Sequence, residues 1–345
     1  MRISAKENEV SQVCRSGYLL GIDTGTSKTH ALVATCSGKA LGYGVSGCGN
    51  YEVVGLDNFK SAMKEAADHA LAMAGVEKKE IIRLGLGISG FDWPSEEPVM
   101  VDAIQSLRFD CEFKFVNDVN IGLLAGASEG WGVAVDAGTG NNVRGLDQNG
   151  QIGRITGNSV WHGEIGGGGE MVWLAQIAVT HAWTQRGPQT QLTQAFLDFS
   201  GVKSENELIE GIATGLINLP PSLAEEIFRC AAGGDQVALQ IVKTSAHELA
   251  LNVNAVIRQL NLQKEIFDIV LIGSIFKAGK LFLQPFQDVV QSFATKARWV
   301  HLSVPPVLGA VLLAAESLGI VDAVFKQELN DSCRKIWDVS ENRSD

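Results

Sequence analysis

The sequence predicts an α/β fold in which the same domain plan occurs twice. An apolar strand ends in an aspartate and a turn containing Gly-Thr, first at Asp23 and again at Asp136, 113 residues later. Each copy continues into a second strand and a hairpin signal, at 37–38 in the first copy and 149–150 in the second. Strand and helix patterns then alternate, which is typical of an α/β protein.

Length and composition indicate a well-packed protein with more than one core. The chain has 345 residues, of which 46% are hydrophobic and 19% charged, so we expect two domains. A net charge of −11 disfavours nucleic acid and anionic membranes as partners, because both bind a basic surface. The first 17 residues lack the apolar core of a signal peptide, and no later run reaches the roughly 20 apolar residues of a membrane span. We therefore expect a cytoplasmic protein.

The six cysteines are spread along the chain without a Cys-x-x-Cys pair. This spacing predicts neither a zinc site nor a disulfide framework. We expect buried free thiols instead.

The first half predicts three strands followed by helix, strand, helix, strand and helix. Small and apolar residues recur at helical spacing before Gly75, which is placed to cap the helix. After the three strands, the predicted elements are a helix at 57–74, a buried strand at 81–89, a helix at 95–107, a strand at 113–116 and a helix at 119–128.

The second half repeats the strand and hairpin and then predicts further helices and strands. They are a helix with an apolar seam over 242–260, a strand at 267–275, a strand at 298–303 and a helix at about 307–318. The predicted domain limits are a polar tail at 1–17, an N-terminal domain at 18–125, a C-terminal domain at 126–320 and an extension at 321–345 that packs back on the N-terminal domain.

The turn after Asp23 offers backbone amides, hydroxyl groups and one cation, a combination typical of phosphate binding. Its candidate phosphate ligands are Gly25, Thr26, Lys28 and Thr29. The turn is not a Walker A loop, because Gly25 stands three residues before Lys28, and it lacks the Gly-x-Gly-x-x-Gly of a dinucleotide fold. The alternative is an ordinary polar hairpin turn.

The second turn, Gly138, Thr139 and Gly140, follows Asp136 in the same way. Two such turns in a repeated fold predict a polyphosphate held between them. A carboxylate next to phosphate requires a metal ion or water between the two, so Asp23 and Asp136 are candidate ligands of Mg²⁺.

Asn117 and Asp118 close a short apolar strand and precede a helix. A carboxylate there could be a helix N-cap. Held between the two turns, Asp118 is instead placed to act as the general base that deprotonates an acceptor hydroxyl. We favour the second interpretation.

Four consecutive glycines, Gly166 to Gly169, lie between Glu164 and Glu170, and His162 is nearby. Such a run is either a mobile surface loop or a loop that faces a substrate. His162 by itself indicates an ordinary hydrogen-bonded surface histidine.

Taken together, these motifs resemble the BadF/BadG/BcrA/BcrD ATPase family, which includes N-acetylglucosamine kinase, within the actin/hexokinase-like ATPase superfamily. The similarity covers nearly the whole chain after residue 17. It rests on six ordered segments: GIDTGTSKTHALV as the first phosphate motif, LGISGFD, VNDVNIG with the catalytic aspartate, AGTGNNVRG as the second phosphate motif, VLIGSIFKAG as the adenosine motif and the small-residue helix PPVLGAVLLAA.

The resemblance implies duplicated ribonuclease H-like (actin-like ATPase) domains with a central nucleotide cleft. It also implies ATP and Mg²⁺ as cofactors, phosphoryl transfer to a hydroxyl of a sugar or amino sugar, and a homodimer. Gly273 and Ser274 would let the nucleoside lie close to the backbone, and Asn50 falls where amino-sugar kinases place a substrate ligand. Asn117 is the other candidate substrate ligand in this half of the chain.

The glycine run departs from the family pattern. In one register Gly166 to Gly169 lie over the family's Gly-Asp-Glu-Gly segment, so that the acid that contacts the sugar is missing. A shifted register offers Glu164 as that substrate ligand.

Two other functions stay open. One is an ATPase that couples hydrolysis to a redox partner; such activators bind an iron–sulfur cluster through cysteines, and no cysteine lies in the second phosphate or adenosine motif. The other is a nucleotide- or sugar-binding sensor, which would lose the base, whereas Asp118 is present.

Overall fold

A computed structural model describes residues 17–341, which divide into two compact units. The first unit combines the chain up to Ala134 with the chain from Val300 onward, and the second is Val135–Trp299. The predicted polar tail at 1–17 lies outside the described residues apart from Gly17, as do residues 342–345.

The first unit is built on a five-stranded sheet with the order β3-β2-β1-β4-β5. The first three strands form an antiparallel meander, and β4 and β5 run parallel to β1. Their bounds are β1 Tyr18–Thr24, β2 Thr29–Thr35, β3 Ala40–Ser46, β4 Ile81–Ile88 and β5 Glu112–Asn117. The predicted order of elements along this half of the chain, three strands and then alternating helices and strands, is confirmed.

A second five-stranded sheet has the order β10-β9-β6-β7-β8. Its central strand has a hairpin pair on one side and two later strands on the other, as β1 has in the first sheet. The bounds are β6 Gly132–Ala137, β7 Asn141–Leu146, β8 Ile152–Arg154, β9 Asp268–Ile272 and β10 Arg298–His301. The predicted duplication of an α/β plan is therefore confirmed.

Eleven α-helices are found among residues 17–341, and none of them is long and apolar enough to cross a membrane. They are α1 Tyr51–Ala74, α2 Glu97–Gln105, α3 Asp118–Gly126, α4 Gly168–Trp183, α5 Gln191–Ser200, α6 Glu205–Ala213, α7 Ala224–Ala232, α8 Gln236–Gln259, α9 Lys280–Phe293, α10 Val307–Glu316 and α11 Ala323–Glu341.

Helix α1 begins earlier than the predicted residue 57. Asn50 caps its N-terminus by accepting a hydrogen bond from the Glu52 amide, and Gly55, with φ of 77° and ψ of 164°, interrupts the helical path. The interrupted turn breaks the apolar periodicity, so the pattern in the sequence begins only beyond it. One face of α1, including Phe59 and Met63, is buried against the first sheet.

Helix α10 is buried on every side, since all nine residues from Val307 to Ala315 are buried. It packs against β1 and β4, and therefore it belongs to the first unit. The units consequently divide at 134/135 and 299/300, whereas the predicted limits were 125/126 and 320. An all-apolar helix does not reveal from its pattern which sheet it covers.

The last helix, α11, packs on the edge strand β3 of the first unit. Phe325, Leu329 and Cys333 join Tyr43 in one buried cluster. The Ser332 hydroxyl also accepts a hydrogen bond of 2.9 Å from the Ala40 amide.

Glycine permits the close packing of α10 on β4. A Cβ atom at Gly85 would overlap the Ala310 carbonyl oxygen of α10. We expect Gly85→Ala to destabilise the protein by about 1–3 kcal/mol, the usual cost of overpacking a core. The midpoint of urea unfolding measures this.

Gly47→Ala is the matched control, because nothing lies within 4 Å of the position that its Cβ would take. It should leave the midpoint unchanged. Equal midpoints for the two variants would mean that α10 does not approach β4 so closely.

Candidate functional site

The turn after β1 is a tight loop held by backbone hydrogen bonds. The Gly25 amide donates to the Lys28 carbonyl at 3.0 Å, and the Gly49 amide donates to the Gly25 carbonyl at 2.9 Å. Thr26 and Lys28 are exposed at the tip of the turn, whereas Asp23 at its base is only 8% exposed. The turn therefore offers a hydroxyl and an ammonium group to solvent above a buried carboxylate.

Two threonine hydroxyls beside this turn form hydrogen bonds with backbone groups of the fold. Thr29 is fully buried, and its Oγ1 donates to the Gly47 carbonyl at 3.0 Å. Thr24 Oγ1 accepts a hydrogen bond of 3.1 Å from the Ser89 amide. Thr29, predicted as a phosphate ligand, thus holds the turn in place through its side chain.

The ends of β1, β4 and β5 bring a second set of polar residues to the same edge of the first sheet. The strands are parallel, and their register aligns Thr24 with Ile88 and Ile88 with Asn117. Asn50, at the start of α1, joins this edge because its Nδ2 donates to Ser89 Oγ at 3.2 Å. Four of the predicted site residues therefore lie at the same edge of the sheet: Asp23, Asn50, Asn117 and Asp118.

Asn117, rather than Asp118, is the N-cap of α3. Asn117 Oδ1 accepts a hydrogen bond of 3.1 Å from the Val119 amide, and its Nδ2 donates to the Phe91 carbonyl at 3.2 Å. Asp118 is the first residue of the helix and is half-buried, and its Oδ1 also accepts from the Val119 amide, at 2.9 Å. The Asp118 carboxylate therefore lies in the first turn of α3.

Further carboxylates surround this edge. Burial raises the pKa of Glu52, and the charges of Asp92 and Glu96 raise it further. Burial and the hydrogen bond to Glu96 likewise raise the pKa of the Tyr51 hydroxyl, which donates to Glu96 Oε1 at 2.8 Å. The surroundings of Asn50 are accordingly acidic.

The turn of the second unit follows β6, and the end of β9 packs against its base. The Gly138 amide donates to the Gly140 carbonyl at 2.9 Å. Gly273, with φ of 101°, leaves no room for a side chain, because a Cβ there would overlap the Ala137 carbonyl and lie 2.9 Å from Asp136 Oδ1. Asp136 is half-buried at this junction.

The glycine run packs directly on this turn, and the alternative of a mobile surface loop was wrong. The Gly168 amide donates to the Gly138 carbonyl and the Gly169 amide to the Thr139 carbonyl, both at 2.8 Å. A Cβ atom at Gly167 would overlap the Gly140 carbonyl. The run thus forms the N-terminus of α4 and allows contact between two backbones.

Both acids that flank the run are buried and hydrogen-bonded. Glu164, which is 7% exposed, accepts from the Thr156 amide at 2.7 Å, from Thr156 Oγ1 at 2.8 Å and from the Asn158 amide at 3.1 Å. Glu170 accepts from Ser159 Oγ at 2.6 Å and from the Gly167 amide at 2.7 Å. These carboxylates hold the segment 156–167 in its path.

A cavity of about 510 Å³ opens beside the second turn, within the second unit. The residues that line this cavity come from four segments, namely the turn, the glycine run, the start of α7 and the chain after β9. They are Gly138, Thr139, Gly168, Pro221, Ser222, Ala224, Glu225, Phe228, Ser274, Ile275, Lys277 and Ala278. Lys277 and the residues 221–228 were not predicted. Lys277 could have been found as the first cation after the predicted Ser274, whereas nothing in 221–228 resembles a motif.

The carboxylates of Asp23 and Asp136 suit Mg²⁺ only if a phosphate supplies further ligands to the ion. Among residues 17–341, no three His, Cys, Asp or Glu side chains gather as a metal site. Mg²⁺ is usually bound by one or two carboxylates and the phosphates of a substrate. The Asp23 and Asp136 carboxylates, each beside a turn of exposed amides and hydroxyls, fit that mode.

Comparison with known proteins identifies the family. The model of the BadF/BadG/BcrA/BcrD ATPase family matches residues 20–314. The chain belongs to this family. Among curated relatives, an N-acetylmuramic acid/N-acetylglucosamine kinase from Clostridium acetobutylicum is 27% identical over 299 residues, and an N-acetyl-D-glucosamine kinase from Dictyostelium discoideum is 27% identical over 311 residues. Each alignment covers 86% of this chain and 98% of the relative.

Solved structures of sugar kinases share the fold. A candidate N-acetylglucosamine kinase from Chromobacterium violaceum has a TM-score of 0.68 at 22% identity, over 86% of this chain and 98% of that one. A ROK family glucokinase from Streptomyces griseus, solved with glucose and AMPPNP, has a TM-score of 0.56 at 17% identity, over 87% of this chain and 100% of that one. The actin-like α/β fold is thereby established.

The packing of Gly167 on the second turn generates a prediction. Gly167→Ala should displace the Gly140 carbonyl and distort the 138–140 turn, at a cost of about 1–3 kcal/mol. We expect a lower melting temperature and weaker binding of ADP, measured by differential scanning fluorimetry and titration calorimetry.

Gly233→Ala is the control within the same unit, because the atoms nearest to the position of its added Cβ lie at 3.4 Å, an ordinary van der Waals distance. It should match the wild type in both measurements. Unchanged ADP binding in Gly167→Ala would contradict the assigned contact.

Proposed function

We propose that the chain is an ATP-dependent kinase that transfers the γ-phosphoryl group to a hydroxyl of a sugar or amino sugar. The observation that carries the proposal is the cavity in the second unit, which combines the 138–140 turn, Ser274 and the cation Lys277. Amides, hydroxyls and a cation around one cavity are the groups that recognise a nucleotide. The family and the sugar substrates named for both curated relatives support the same conclusion.

The nucleotide would be held through its phosphates and its nucleoside. In the second unit, Gly138, Thr139 and Gly140 would bind phosphate oxygens, while Gly273 and Ser274 would lie against the nucleoside. The cavity also has apolar walls suited to a flat base, formed by Pro221, Phe228 and Ile275.

In the first unit, Gly25, Thr26 and Lys28 would contact phosphate, and Thr29 would act indirectly by holding the turn. Asp23 in this unit and Asp136 in the other are each proposed as a ligand of Mg²⁺. When bound there, Mg²⁺ neutralises phosphate charge that would otherwise oppose attack by the acceptor.

Asp118 is the proposed general base. Its carboxylate lies at the N-terminus of α3, beside Asn117 at the sheet edge that also carries the first turn. An acceptor hydroxyl that donates a hydrogen bond to Asp118 would lose its proton to that carboxylate as the phosphoryl group is transferred. No other group on this edge is required to move a proton.

Asn50 and Asn117 are proposed to position the acceptor, and Glu164 to act through the segment 156–158 that it holds. The Asn50 amide and the Glu52 carboxylate both border Gly90, where a Cβ would lie 3.1 Å from Asn50 Oδ1 and 3.2 Å from Glu52 Oε2. Carboxylates so close to Asn50 would repel a negatively charged acceptor. An uncharged or cationic sugar is therefore favoured over an acidic one.

The homodimer and the cytoplasmic location expected from the sequence stay predictions. Light scattering by the purified protein would test the first, and microscopy of the tagged protein in its host cell would test the second.

A screen of ATP consumption against sugars, acidic sugars, amino sugars and polyols tests the proposed function. We expect turnover with a neutral or amino sugar and little with N-acetylmuramic acid. With the best acceptor, Asp118→Asn should lower kcat by at least about a hundredfold, since an amide cannot accept the proton. Binding of ATP should change little.

Asp102→Asn removes an exposed carboxylate of α2 and should keep the activity of the wild type. Near-normal turnover in Asp118→Asn would contradict the assignment of Asp118 as the general base. ATP hydrolysis that no acceptor stimulates would instead favour an ATPase coupled to a partner.

Lys277 provides a separate test of the nucleotide cavity. Because its ammonium would pair with phosphate, Lys277→Ala should weaken ADP binding by about tenfold, the lower range for a hydrogen bond to a charged group. Adenosine, which has no phosphate, should bind as to the wild type. Titration calorimetry with both ligands measures the difference.

Lys280→Ala is the matched control, because Lys280 is also an exposed lysine but does not line the cavity. It should bind both ligands normally. An equal loss for ADP and adenosine in Lys277→Ala would mean that Lys277 shapes the cavity without contacting phosphate.

A further inference from the structure

The cavity of the second unit is lined by two ionisable side chains of opposite charge, Glu225 and Lys277. Both residues are exposed. Lys277 has a part in the proposed nucleotide site, because its ammonium would pair with phosphate. Glu225 has no part in it so far, although a carboxylate repels phosphate and is therefore unexpected in a cavity for a polyanion.

The fold itself does not use the Glu225 carboxylate. Glu225 and Glu226 both stand in the first turn of α7, where either charge stabilises the helix. Glu226 pairs with Arg229, with 2.6 Å between Glu226 Oε2 and Arg229 Nε. Within residues 17–341, the Glu225 side chain forms neither an ion pair nor a hydrogen bond. Of the two acids, only Glu225 lines the cavity.

The contacts of α7 and the residues before it give the cavity a direction. Pro221 and Ala224 lie beside Gly168, since a Cβ atom added to Gly168 would stand 2.8 Å from the Pro221 carbonyl oxygen and 3.4 Å from Ala224 Cβ. The Gly168 amide also donates to a carbonyl of the 138–140 turn. Phe228 stands one helical turn beyond Ala224. The cavity therefore extends from the 138–140 turn to Phe228.

A nucleotide has its parts in a matching order, with the ribose between the phosphates and the base. If the phosphates bind the 138–140 turn and the base lies against Phe228, the ribose passes the first turn of α7, which carries Glu225. The 2′ and 3′ hydroxyls are the hydrogen-bond donors of a ribose, and one carboxylate can accept from both. These hydroxyls are the part of a nucleotide that suits a carboxylate best.

We propose that Glu225 accepts hydrogen bonds from the ribose hydroxyls of the phosphoryl donor, so that the enzyme selects ribonucleotides over deoxyribonucleotides. The proposal rests on the proposed function, because it takes this cavity as the nucleotide site. A nucleotide without these hydroxyls would displace water from the carboxylate and return no hydrogen bond, which lowers its affinity.

A cycle of two proteins and two ligands tests the contact. The wild type and Glu225→Ala are titrated by calorimetry with ADP and with 2′,3′-dideoxy-ADP, which lacks both hydroxyls. The wild type should bind ADP at least about tenfold more tightly than dideoxy-ADP, as expected for hydrogen bonds to a charged group. In Glu225→Ala the two affinities should become equal, mainly through weaker binding of ADP. Continued binding of dideoxy-ADP shows that the variant is folded.

Glu226→Ala is the matched control, because Glu226 is the neighbouring acid of α7 but does not line the cavity. It should keep the preference of the wild type for ADP. Titration with IDP, which lacks the amino group of adenine, separates the ribose from the base, and Glu225→Ala should weaken IDP and ADP alike.

Three results would overturn the proposal while leaving the proposed function in place. They are a wild type that binds ADP and dideoxy-ADP equally, an equal loss of both ligands in Glu225→Ala, and a preference for ADP over IDP that Glu225→Ala abolishes. The last result would assign Glu225 to the base. A wild type that does not bind ADP at all would overturn the proposed function together with this contact.

Discussion

Direct contact between two backbones, that of the 138–140 turn and that of the start of α4, is the constraint on which the cavity of the second unit depends. Two helix amides, those of Gly168 and Gly169, donate to carbonyls of the turn, and Gly138, Thr139 and Gly168 all line the cavity. Side chains would separate the two segments, so the contact requires glycine at the start of the helix. The run Gly166 to Gly169 is therefore a packing requirement, and of its four residues Gly168 lines the cavity.

The first turn is held differently, although it occupies the equivalent place in the repeated fold. Threonine hydroxyls replace helix amides: Thr24 and Thr29 bind neighbouring backbone groups, and the Gly49 amide binds Gly25. In both units the support comes from behind the turn, and the tip stays exposed. Buried supports with an exposed tip are the condition for binding phosphate without a large rearrangement of the loop.

The sequence predicted the repeated strand plan and most elements because strands and amphipathic helices carry periodic patterns. It did not predict that α10 lies on the first sheet, since a helix that is apolar on all sides has no face to assign. The sequence located both turns, but it did not show that Thr26 is exposed while Thr29 is buried. Thr29 is buried because the segment with Gly47 and Gly49, which is distant in sequence from the turn, packs against its side chain. The sequence did not predict that residues 221–228 line the cavity, because a cavity wall formed by the start of a helix has no sequence motif of its own.

The two buried acids explain how this chain departs from the family pattern without losing the loop. Glu170 sits in the first turn of α4, where it binds the Gly167 amide and Ser159, and Glu164 binds three donors at 156–158. A carboxylate with that many donors is costly to redirect, because each broken hydrogen bond would leave a buried group unpaired. Under the proposed function, recognition of the acceptor is assigned to the edge of the first sheet, where Asn50, Asn117 and Asp118 lie near the carboxylates of Glu52 and Asp92. In the proposed kinase, the glycine run lacks the family's sugar-contacting acid, and carboxylates at the strand ends of the first sheet take over contact with the acceptor. The substrate preference of the enzyme then shifts away from negatively charged sugars.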